Sequence, residues 1–378
     1  MQRSSFLRRR AAITTLMGAT LVVGLLAGCS SSNKSSGGAY SAAKNCKKVG
    51  VSLPESDTSA RWEGVDHPDL QAAIAKALPG ATIDFANAQN SSDTQISQTD
   101  SFLTKGDCIL VVAPQDAQKS ATIVQNAKKD KVPVIAYDRL IQSNDLQYYV
   151  SFDNTKVGQL QGQYIADHYQ TFVTAQGTNN LIMIDGSQDD NNALLFKAGA
   201  HSVLDNLTSA GSLKLQYETF TPAWNNNTAQ TEMEGALTQV NNKVAVAYVA
   251  NDGMAQTVIA ALQAQHLAGK VLVTGQDATA QGIQQILLGN QSMTVYKAIQ
   301  KEADATAAIV AALSTGASTS SLTNGATIKL ASGNTVPAVL ETPVAVDKSN
   351  IATTVLADGY VKKADICQGV PAGTDGIC

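Results

Sequence analysis

The chain has 378 residues, of which 44% are hydrophobic and 15% charged, and its formal net charge is −4 at pH 7. This length exceeds one ordinary hydrophobic core and predicts two lobes. The acidic balance argues against a nucleic-acid partner, and after the first 28 residues no apolar run in the sequence is long enough to cross a membrane.

The first 28 residues predict an export signal. Arginines at positions 3, 8, 9 and 10 precede an apolar run over residues 11–25, and Leu26-Ala27-Gly28 ends that run with small residues before Cys29. The pattern is similar to a bacterial lipoprotein signal, so we expect Cys29 to be lipidated and to anchor the protein on the extracytoplasmic face of the cell membrane. The neighbouring arginines leave general secretion and twin-arginine export both open. Residues 29–45 predict a flexible tether, and loss of the four arginines takes the net charge from −4 to −8.

Strand and helix patterns alternate along the rest of the chain. The first series predicts a strand at 48–53, a helix at 68–78, a strand at 81–86, a helix at 93–104, a strand at 108–113, a helix around 123–127 and strands at 132–137 and 148–152. The second series predicts helices at 157–169, 193–207, 228–240 and 255–265, which alternate with strands at 180–185, 213–219, 244–249 and 271–275.

The last third of the chain predicts a helix at 280–288, a strand at 292–296, a helix at 301–313, a long loop, a strand at 339–345 and an irregular tail. Alternation of this kind is typical of βαβ units with parallel strands and right-handed crossovers. Two such series predict two doubly wound α/β lobes that face each other across a cleft.

Four cysteines remain after Cys29 is assigned to lipid. Cys46 precedes the first strand and Cys108 opens the third, so a disulfide between them is reasonable if those strands are neighbours; Cys367 and Cys378 would then join within the tail. Export permits disulfides, although four cysteines allow three pairings. No CxxC motif or histidine-rich cluster occurs in the sequence, so no metal site is predicted.

Asp138 and Arg139 directly follow a strand of buried character at 132–137. Ligands of open α/β sheets bind beyond the carboxyl ends of the strands. A carboxylate accepts hydrogen bonds and a guanidinium donates them, so the pair could hold neighbouring hydroxyls of one ring. Polar groups recur after other strands, at Arg61-Trp62, residues 189–192, residues 223–225, Asn251-Asp252, Gln276-Asp277 and Tyr296-Lys297.

Trp62 and Trp224 are the two tryptophans of the sequence, and each lies in one of these strand-end loops. One falls in each predicted lobe. Their position beside the cleft predicts two aromatic walls that stack against the apolar faces of a sugar ring.

The chain resembles the D-xylose-binding protein family, the type I periplasmic sugar-binding components of ABC transporters, from about residue 48 to residue 357. The segments that carry the resemblance are Arg61-Trp62, Ala136-Tyr137-Asp138-Arg139, Ser151-Phe152-Asp153-Asn154, Asp190-Asn191-Asn192-Ala193, Asn251-Asp252, Gly275-Gln276-Asp277-Ala278 and Met293-Thr294-Val295-Tyr296-Lys297. By position, the resemblance implies sugar contacts from Arg61, Asp138, Arg139, Asp190, Asn192, Asn251, Asp277 and Lys297, with stacking by Trp62 and Trp224. Residues 57–60 and the Trp224 loop depart from the family pattern and leave the sugar open among pentoses and hexoses.

The resemblance also implies the type I periplasmic binding protein fold, with three crossovers that form a hinge. We expect these crossovers near Phe152-Asp153, near Asp277-Ala278 and within residues 322–340. The expected division is a signal at 1–28, a tether at 29–45, an N-terminal lobe at 46–152 plus 279–322, a C-terminal lobe at 153–278 plus 323–366 and a tail at 367–378.

The function expected is therefore that of a monomeric lipoprotein which captures a monosaccharide, D-xylose foremost, in the cleft and delivers it to the permease subunits of an ABC transporter. No cofactor is implied. An enzyme is disfavoured because the sequence contains neither a GxSxG elbow nor a P-loop, and its four histidines are scattered. A sugar-responsive repressor would carry a helix-turn-helix where this chain has its leader. Presentation of the sugar to a membrane sensor kinase remains an open alternative.

Overall fold

The structure is a computed structural model that describes residues 40–378. The predictions for the signal at 1–28, for lipidation at Cys29 and for most of the tether lie outside these residues. Within the described part of the chain, every helix is too short or too polar to cross a membrane.

The described residues alternate between strands and helices, as predicted. The strands are β1 (Lys48–Leu53), β2 (Thr82–Asn87), β3 (Ile109–Val112), β4 (Val134–Tyr137), β5 (Tyr148–Phe152), β6 (Asn180–Asp185), β7 (Lys214–Phe220), β8 (Val246–Val249), β9 (Leu272–Val273), β10 (Thr294–Tyr296), β11 (Thr327–Lys329), β12 (Thr335–Glu341) and β13 (Val344–Val346). The helices are α1 (His67–Ala77), α2 (Ser92–Lys105), α3 (Ala121–Lys129), α4 (Asn154–Gln176), α5 (Asn191–Ser209), α6 (Asn226–Gln239), α7 (Asp252–Ala264), α8 (Ala280–Leu288), α9 (Ile299–Thr315), α10 (Ser320–Thr323) and α11 (Lys363–Ile366).

The first lobe is built on a seven-stranded sheet of order β11-β12-β5-β4-β3-β1-β2. Its pairs are parallel except for β11 with β12. β3 and β4 are apolar and buried along their whole length because helices cover both faces of the sheet. Residues of α1 and α9 pack on one face, and residues of α2 and α3 pack on the other.

The second lobe contains a parallel sheet of order β7-β6-β8-β9. β10 continues this sheet, since Val295 N donates to Gly275 O at 3.2 Å and Ser292 N donates to Val273 O at 2.8 Å. β13 pairs antiparallel with β10 at the margin. One core of residues from β6, β8 and α4 to α7 fills this lobe.

Two crossovers lie elsewhere than the sequence predicted. Residues 279–296 belong to the second lobe, because α8 packs in one core cluster with Val346 and Ile351 and because β10 extends the second sheet. The chain therefore returns to the first lobe at Tyr296-Lys297, not at Asp277-Ala278. Residues 327–341 belong to the first lobe because β12 pairs with β5. The last crossover thus follows Glu341, and the single strand predicted at 339–345 is divided between β12 and β13.

Both predicted disulfides are present. Cys46 bonds to Cys108 with a Cα–Cα distance of 5.7 Å, at the start of the neighbouring strands β1 and β3. Cys367 bonds to Cys378 with a Cα–Cα distance of 5.4 Å and closes the C-terminal tail.

Candidate ligand-binding site between the lobes

A nearly closed cavity lies between the lobes, at the carboxyl ends of the strands, and the free volume inside it is about 30 Å³. All ten residues predicted as ligand contacts line it: Arg61, Trp62, Asp138, Arg139, Asp190, Asn192, Trp224, Asn251, Asp277 and Lys297. Each is almost fully buried, so both lobes already enclose the cavity in this conformation.

Asp66 holds the side chain of Arg61 in one orientation, although Asp66 was not among the residues predicted from the sequence. The guanidinium grips both carboxylate oxygens, with Nε to Oδ2 at 2.8 Å and Nη2 to Oδ1 at 2.6 Å. Tyr137, at the end of β4, donates its hydroxyl to Asp66 Oδ1 at 2.8 Å. A bidentate pair of this kind fixes the orientation of the arginine. Its remaining Nη1 donates to Asp138 Oδ2 at 3.0 Å at the cavity wall.

Asp138 remains ionised although it is buried. Burial alone would raise the pKa of its carboxyl group, but the positive charges of Arg61, Lys297 and Arg139 outweigh that effect and hold the pKa at about 2. The carboxylate is therefore a permanent acceptor. Asn192, from the other lobe, donates its amide to the backbone oxygen of Asp138 at 3.0 Å.

Lys297 joins the two lobes electrostatically at the second crossover. Its Nζ lies 3.4 Å from Asp138 Oδ2 in the first lobe and 3.4 Å from Asp277 Oδ1 in the second. Arg61 Nη1 lies 3.7 Å from the same Asp277 oxygen. In this closed conformation, Lys297 and Arg61 each lie close to Asp138 of the first lobe and to Asp277 of the second.

Asp190 organises the wall that the second lobe contributes. Its Oδ1 accepts from Asn192 N at 2.9 Å and so caps α5. Its Oδ2 accepts a hydrogen bond from Trp224 Nε1 at 3.2 Å. The same oxygen forms an ion pair with Arg139, whose Nε lies 2.9 Å away, although the N–H of Arg139 is not aligned for a hydrogen bond. Burial raises the pKa of Asp190 in spite of Arg139. Asn251 likewise caps α7 by accepting from Met254 N at 2.9 Å.

The two tryptophans are positioned by different contacts. The guanidinium groups of Arg61 and Arg139 lie 4.5 and 5.1 Å from the centre of the Trp62 ring. Trp224 packs edge-on against Phe196, with ring centres 6.3 Å apart. It also covers Gly186 so closely that a Cβ there would lie 2.1 Å from Trp224 Cη2. Each ring is thus held by its own lobe at the cavity.

Several buried polar atoms of the lining make no hydrogen bond within residues 40–378. They are Trp62 Nε1, Ser59 Oγ, Arg139 Nε, Gln276 Oε1 and Asp277 Oδ1. Buried polar groups in folded proteins nearly always have partners. The lining therefore offers both donors and acceptors to a polar ligand.

Four lining residues were absent from the predicted set: Thr58, Ser59, Phe196 and Gln276. Gln276 directly precedes Asp277, and Thr58 and Ser59 lie within three residues of Arg61. Phe196 lies one helical turn after Asn192, so helix periodicity could have found it. No local sequence pattern identifies Glu302 of α9 as part of the site. Its Oε2 lies 3.5 Å from Arg61 Nη2. Burial and then Asp138 raise its pKa well above the usual value.

Two α/β lobes with largely parallel sheets, joined by three crossovers around an enclosed polar cavity, define the type I periplasmic binding protein fold. Residues 49–318 match the family model of the periplasmic binding protein domain. The chain is 36% identical over 328 residues to the D-xylose-binding periplasmic protein of Escherichia coli (strain K12), covering 86% of this chain and 94% of the relative. It is 37% identical over 322 residues to the D-xylose-binding periplasmic protein of Haemophilus influenzae, covering 84% and 92%.

Among solved structures, an ABC transporter solute-binding protein from Clostridium phytofermentans with bound β-D-glucose is similar, with a TM-score of 0.74 and 30% identity over 85% of this chain and 100% of that chain. The chain therefore belongs to the periplasmic binding protein family, in the group that contains the D-xylose-binding periplasmic proteins. Members of this group are transport receptors that bind sugars, and this protein is a binding protein and not an enzyme.

Proposed function

We propose that the protein captures a single monosaccharide, D-xylose foremost, in the interlobe cavity and delivers it to the permease of an ABC transporter. One observation carries the proposal: the cavity between the lobes holds, between two tryptophans, fixed charges and buried polar atoms that make no hydrogen bond within the described residues. The names of the two relatives support D-xylose, and the bound β-D-glucose of the solved structure supports a pyranose more generally.

The chemistry of the lining suits a ring covered in hydroxyls. Each hydroxyl can donate one hydrogen bond and accept two. Asp138 and Gln276 offer acceptors, and Arg139 and Trp62 offer donors, on either side of the same small space. The apolar faces of a pyranose would stack on the two indole rings. A purely apolar ligand would leave these buried groups without partners.

Closure of the hinge is the mechanism that this arrangement supports. The sugar docks on the first lobe, and contacts from the second lobe then stabilise the closed form. Away from the cavity, Ala117 N donates to Asp189 O at 3.0 Å and Gln142 Nε2 donates to Asn191 Oδ1 at 3.1 Å, and both bonds join the two lobes. The permease would recognise the closed shape.

Isothermal titration calorimetry with D-xylose, D-glucose, D-ribose and L-arabinose tests the proposal. D-xylose is expected to bind most tightly, at one site per chain. Tighter binding of D-glucose would assign the protein to hexoses instead. A lack of heat with every sugar of the panel would overturn the proposed function.

We also propose that the protein acts as a monomer attached to the membrane by lipid at Cys29. The support is the leader pattern that ends in Leu26-Ala27-Gly28-Cys29. Replacing Cys29 by Ser is expected to move the protein from the membrane fraction to the soluble fraction, with sugar affinity unchanged. A Cys29→Ser protein that stays with the membrane would refute the anchor.

A further inference from the structure

The peptide of Asp277 adopts an unfavourable backbone conformation. Its φ is +98°, and Ala278 follows with φ at +49°. Residues other than glycine rarely adopt such angles, and the surrounding structure must hold them in place. Asp277 N donates to Val295 O at 2.9 Å, and Ala278 N donates to Thr294 Oγ1 at 3.1 Å. These two bonds hold the N–H groups of Asp277 and Ala278, whereas the carbonyl oxygen of Asp277 bonds to a different residue.

That residue is Tyr360, which donates its hydroxyl to Asp277 O at 3.0 Å. Tyr360 belongs to the C-terminal segment, residues 347–378, and does not line the cavity. Its ring contacts Tyr296, with centres 4.8 Å apart, and Tyr296 directly precedes Lys297. Tyr296 in turn donates its hydroxyl to Asp358 Oδ2 at 3.1 Å. Residues 358–360 thus contact the backbone oxygen of Asp277 and the side chain of Tyr296, which precedes Lys297 of the cavity wall.

The C-terminal segment is firmly attached to the second lobe. Its apolar side chains share one core cluster with α8, formed on the segment's side by Ile351, Val355, Val361, Ile366 and Ile377. The disulfide Cys367–Cys378 closes its end and packs against the same cluster. The segment is therefore a rigid support and not a loose tail.

We propose that Tyr360 is a positioning residue for Asp277, through which the C-terminal segment sets sugar affinity from outside the cavity. The proposal rests on the proposed function of the cavity. Rotation of the Asp277 peptide would move its carboxylate away from Lys297, now at 3.4 Å, and from Arg61, now at 3.7 Å. The hydroxyl of Tyr360 opposes that rotation.

A double-mutant cycle tests the proposal by calorimetry with the sugar that the wild type binds. Tyr360→Phe keeps the ring and removes one neutral hydrogen bond, so binding is expected to weaken about fivefold. In an Asp277→Gly background, no carboxylate remains to be positioned and glycine tolerates the backbone angle. In that background, adding Tyr360→Phe is expected to alter affinity by less than about 1.5-fold. The titration uses millimolar sugar so that the weaker binding can be measured.

Tyr164→Phe is a matched control. Tyr164 also lies in the second lobe and donates its hydroxyl to a backbone oxygen, that of Ser292, at 3.0 Å. It should lower the melting temperature about as much as Tyr360→Phe while leaving affinity within about 1.5-fold. A second variant, with Cys367 and Cys378 both changed to Ser, should weaken binding in the same direction as Tyr360→Phe.

An equal loss of affinity in both backgrounds, or no loss from Tyr360→Phe, would overturn the positioning role while leaving the proposed function intact. A wild-type protein that binds no sugar would overturn the proposed function and this inference with it.

Discussion

Asp138, Trp224 and Asp277 come from three different loops around the cavity, and all three have positive φ, at 56°, 56° and 98°. Left-handed backbone costs about 1–2 kcal/mol for a residue with a side chain. Such strain persists where the surrounding structure determines the conformation, and it concentrates at functional sites. Here the strained backbone directs two carboxylates and one indole ring toward the same cavity.

Gly186 is the residue that makes room for Trp224. A Cβ at this position would lie 2.1 Å from Trp224 Cη2, so Gly186→Ala must displace the ring. We expect sugar affinity to fall by up to about tenfold, because the displaced indole loses its stacking contact with the sugar and such an aromatic contact contributes about 0.5–1.5 kcal/mol. Sugar bound between the two indole rings is expected to change the intrinsic tryptophan fluorescence, and this change should be smaller in Gly186→Ala.

Gly64→Ala is the control for this substitution. Gly64 lies two residues after Trp62, and a Cβ there would meet nothing within 4 Å. It should leave both affinity and fluorescence unchanged. A Gly186→Ala protein with wild-type affinity would show that Trp224 does not contact the ligand.

The lining of the cavity could be predicted largely from the sequence because strand-end loops of parallel sheets converge at one edge. Asp138 and Arg139 are the clearest example, since the buried strand before them is evident from its apolar residues. Asp66 and Glu302, which lie beneath Arg61, could not be predicted in this way. Their contacts depend on how helices α1 and α9 pack, and no local pattern encodes that packing.

At the scale of elements, α4 and α5 pack exceptionally closely. A Cβ on Gly158 would lie 1.9 Å from Phe196 O, and one on Gly199 would lie 2.1 Å from Thr155 O. Asn192 lies in the first turn of α5, so the close contact between the two helices determines where its side chain is placed in the cavity. The glycines are therefore part of the support of the site.

Gly158→Ala is expected to force the helices apart and to lower the free energy of unfolding by about 1–3 kcal/mol. Gly235→Ala is the matched control: Gly235 lies inside α6, and its Cβ would meet nothing within 4 Å. That change should stabilise the protein by up to about 1 kcal/mol through helix propensity. Chemical denaturation measures both, and a Gly158→Ala protein of wild-type stability would contradict the close packing.

The lobe to which an element belongs was harder to predict than the element itself. A strand at 339–345 was predicted from apolar residues, yet β12 ends at Glu341 in the first sheet and β13 begins at Val344 in the second. Hydrophobic pattern reports burial and not the sheet in which a strand is buried. Strand order follows from tertiary pairing, which the sequence pattern alone does not contain.

For the whole molecule, several buried carboxyl groups predict how stability depends on pH. Burial raises the pKa of Asp107 and Asp185 to about 6 and that of Asp252 to about 7. Since these groups have a pKa of about 4 when unfolded, the folded state binds more protons between about pH 4 and pH 7. Stability must then fall as the pH rises through that window.

We therefore expect the melting temperature to decrease as the pH rises from about 4 to about 7. Asp107→Asn should flatten the decrease, because neither oxygen of Asp107 makes a hydrogen bond within the described residues and the amide can take its place. A melting temperature that rises over the same pH range would contradict the assigned pKa values.

Asp138 is expected to hold the sugar between the lobes, and calorimetry of Asp138→Asn with the sugar that the wild type binds tests this role directly. Asparagine tolerates the positive φ, but the variant loses the charge and one acceptor and leaves Arg61 and Lys297 less well paired. Binding should weaken at least about tenfold. Asp153→Ala is the control, because Asp153 only caps α4 by accepting from Lys156 N; it should lower stability by about 1 kcal/mol and leave affinity unchanged. A folded Asp138→Asn protein that binds sugar within about twofold of the wild type would contradict the role of Asp138 in sugar binding.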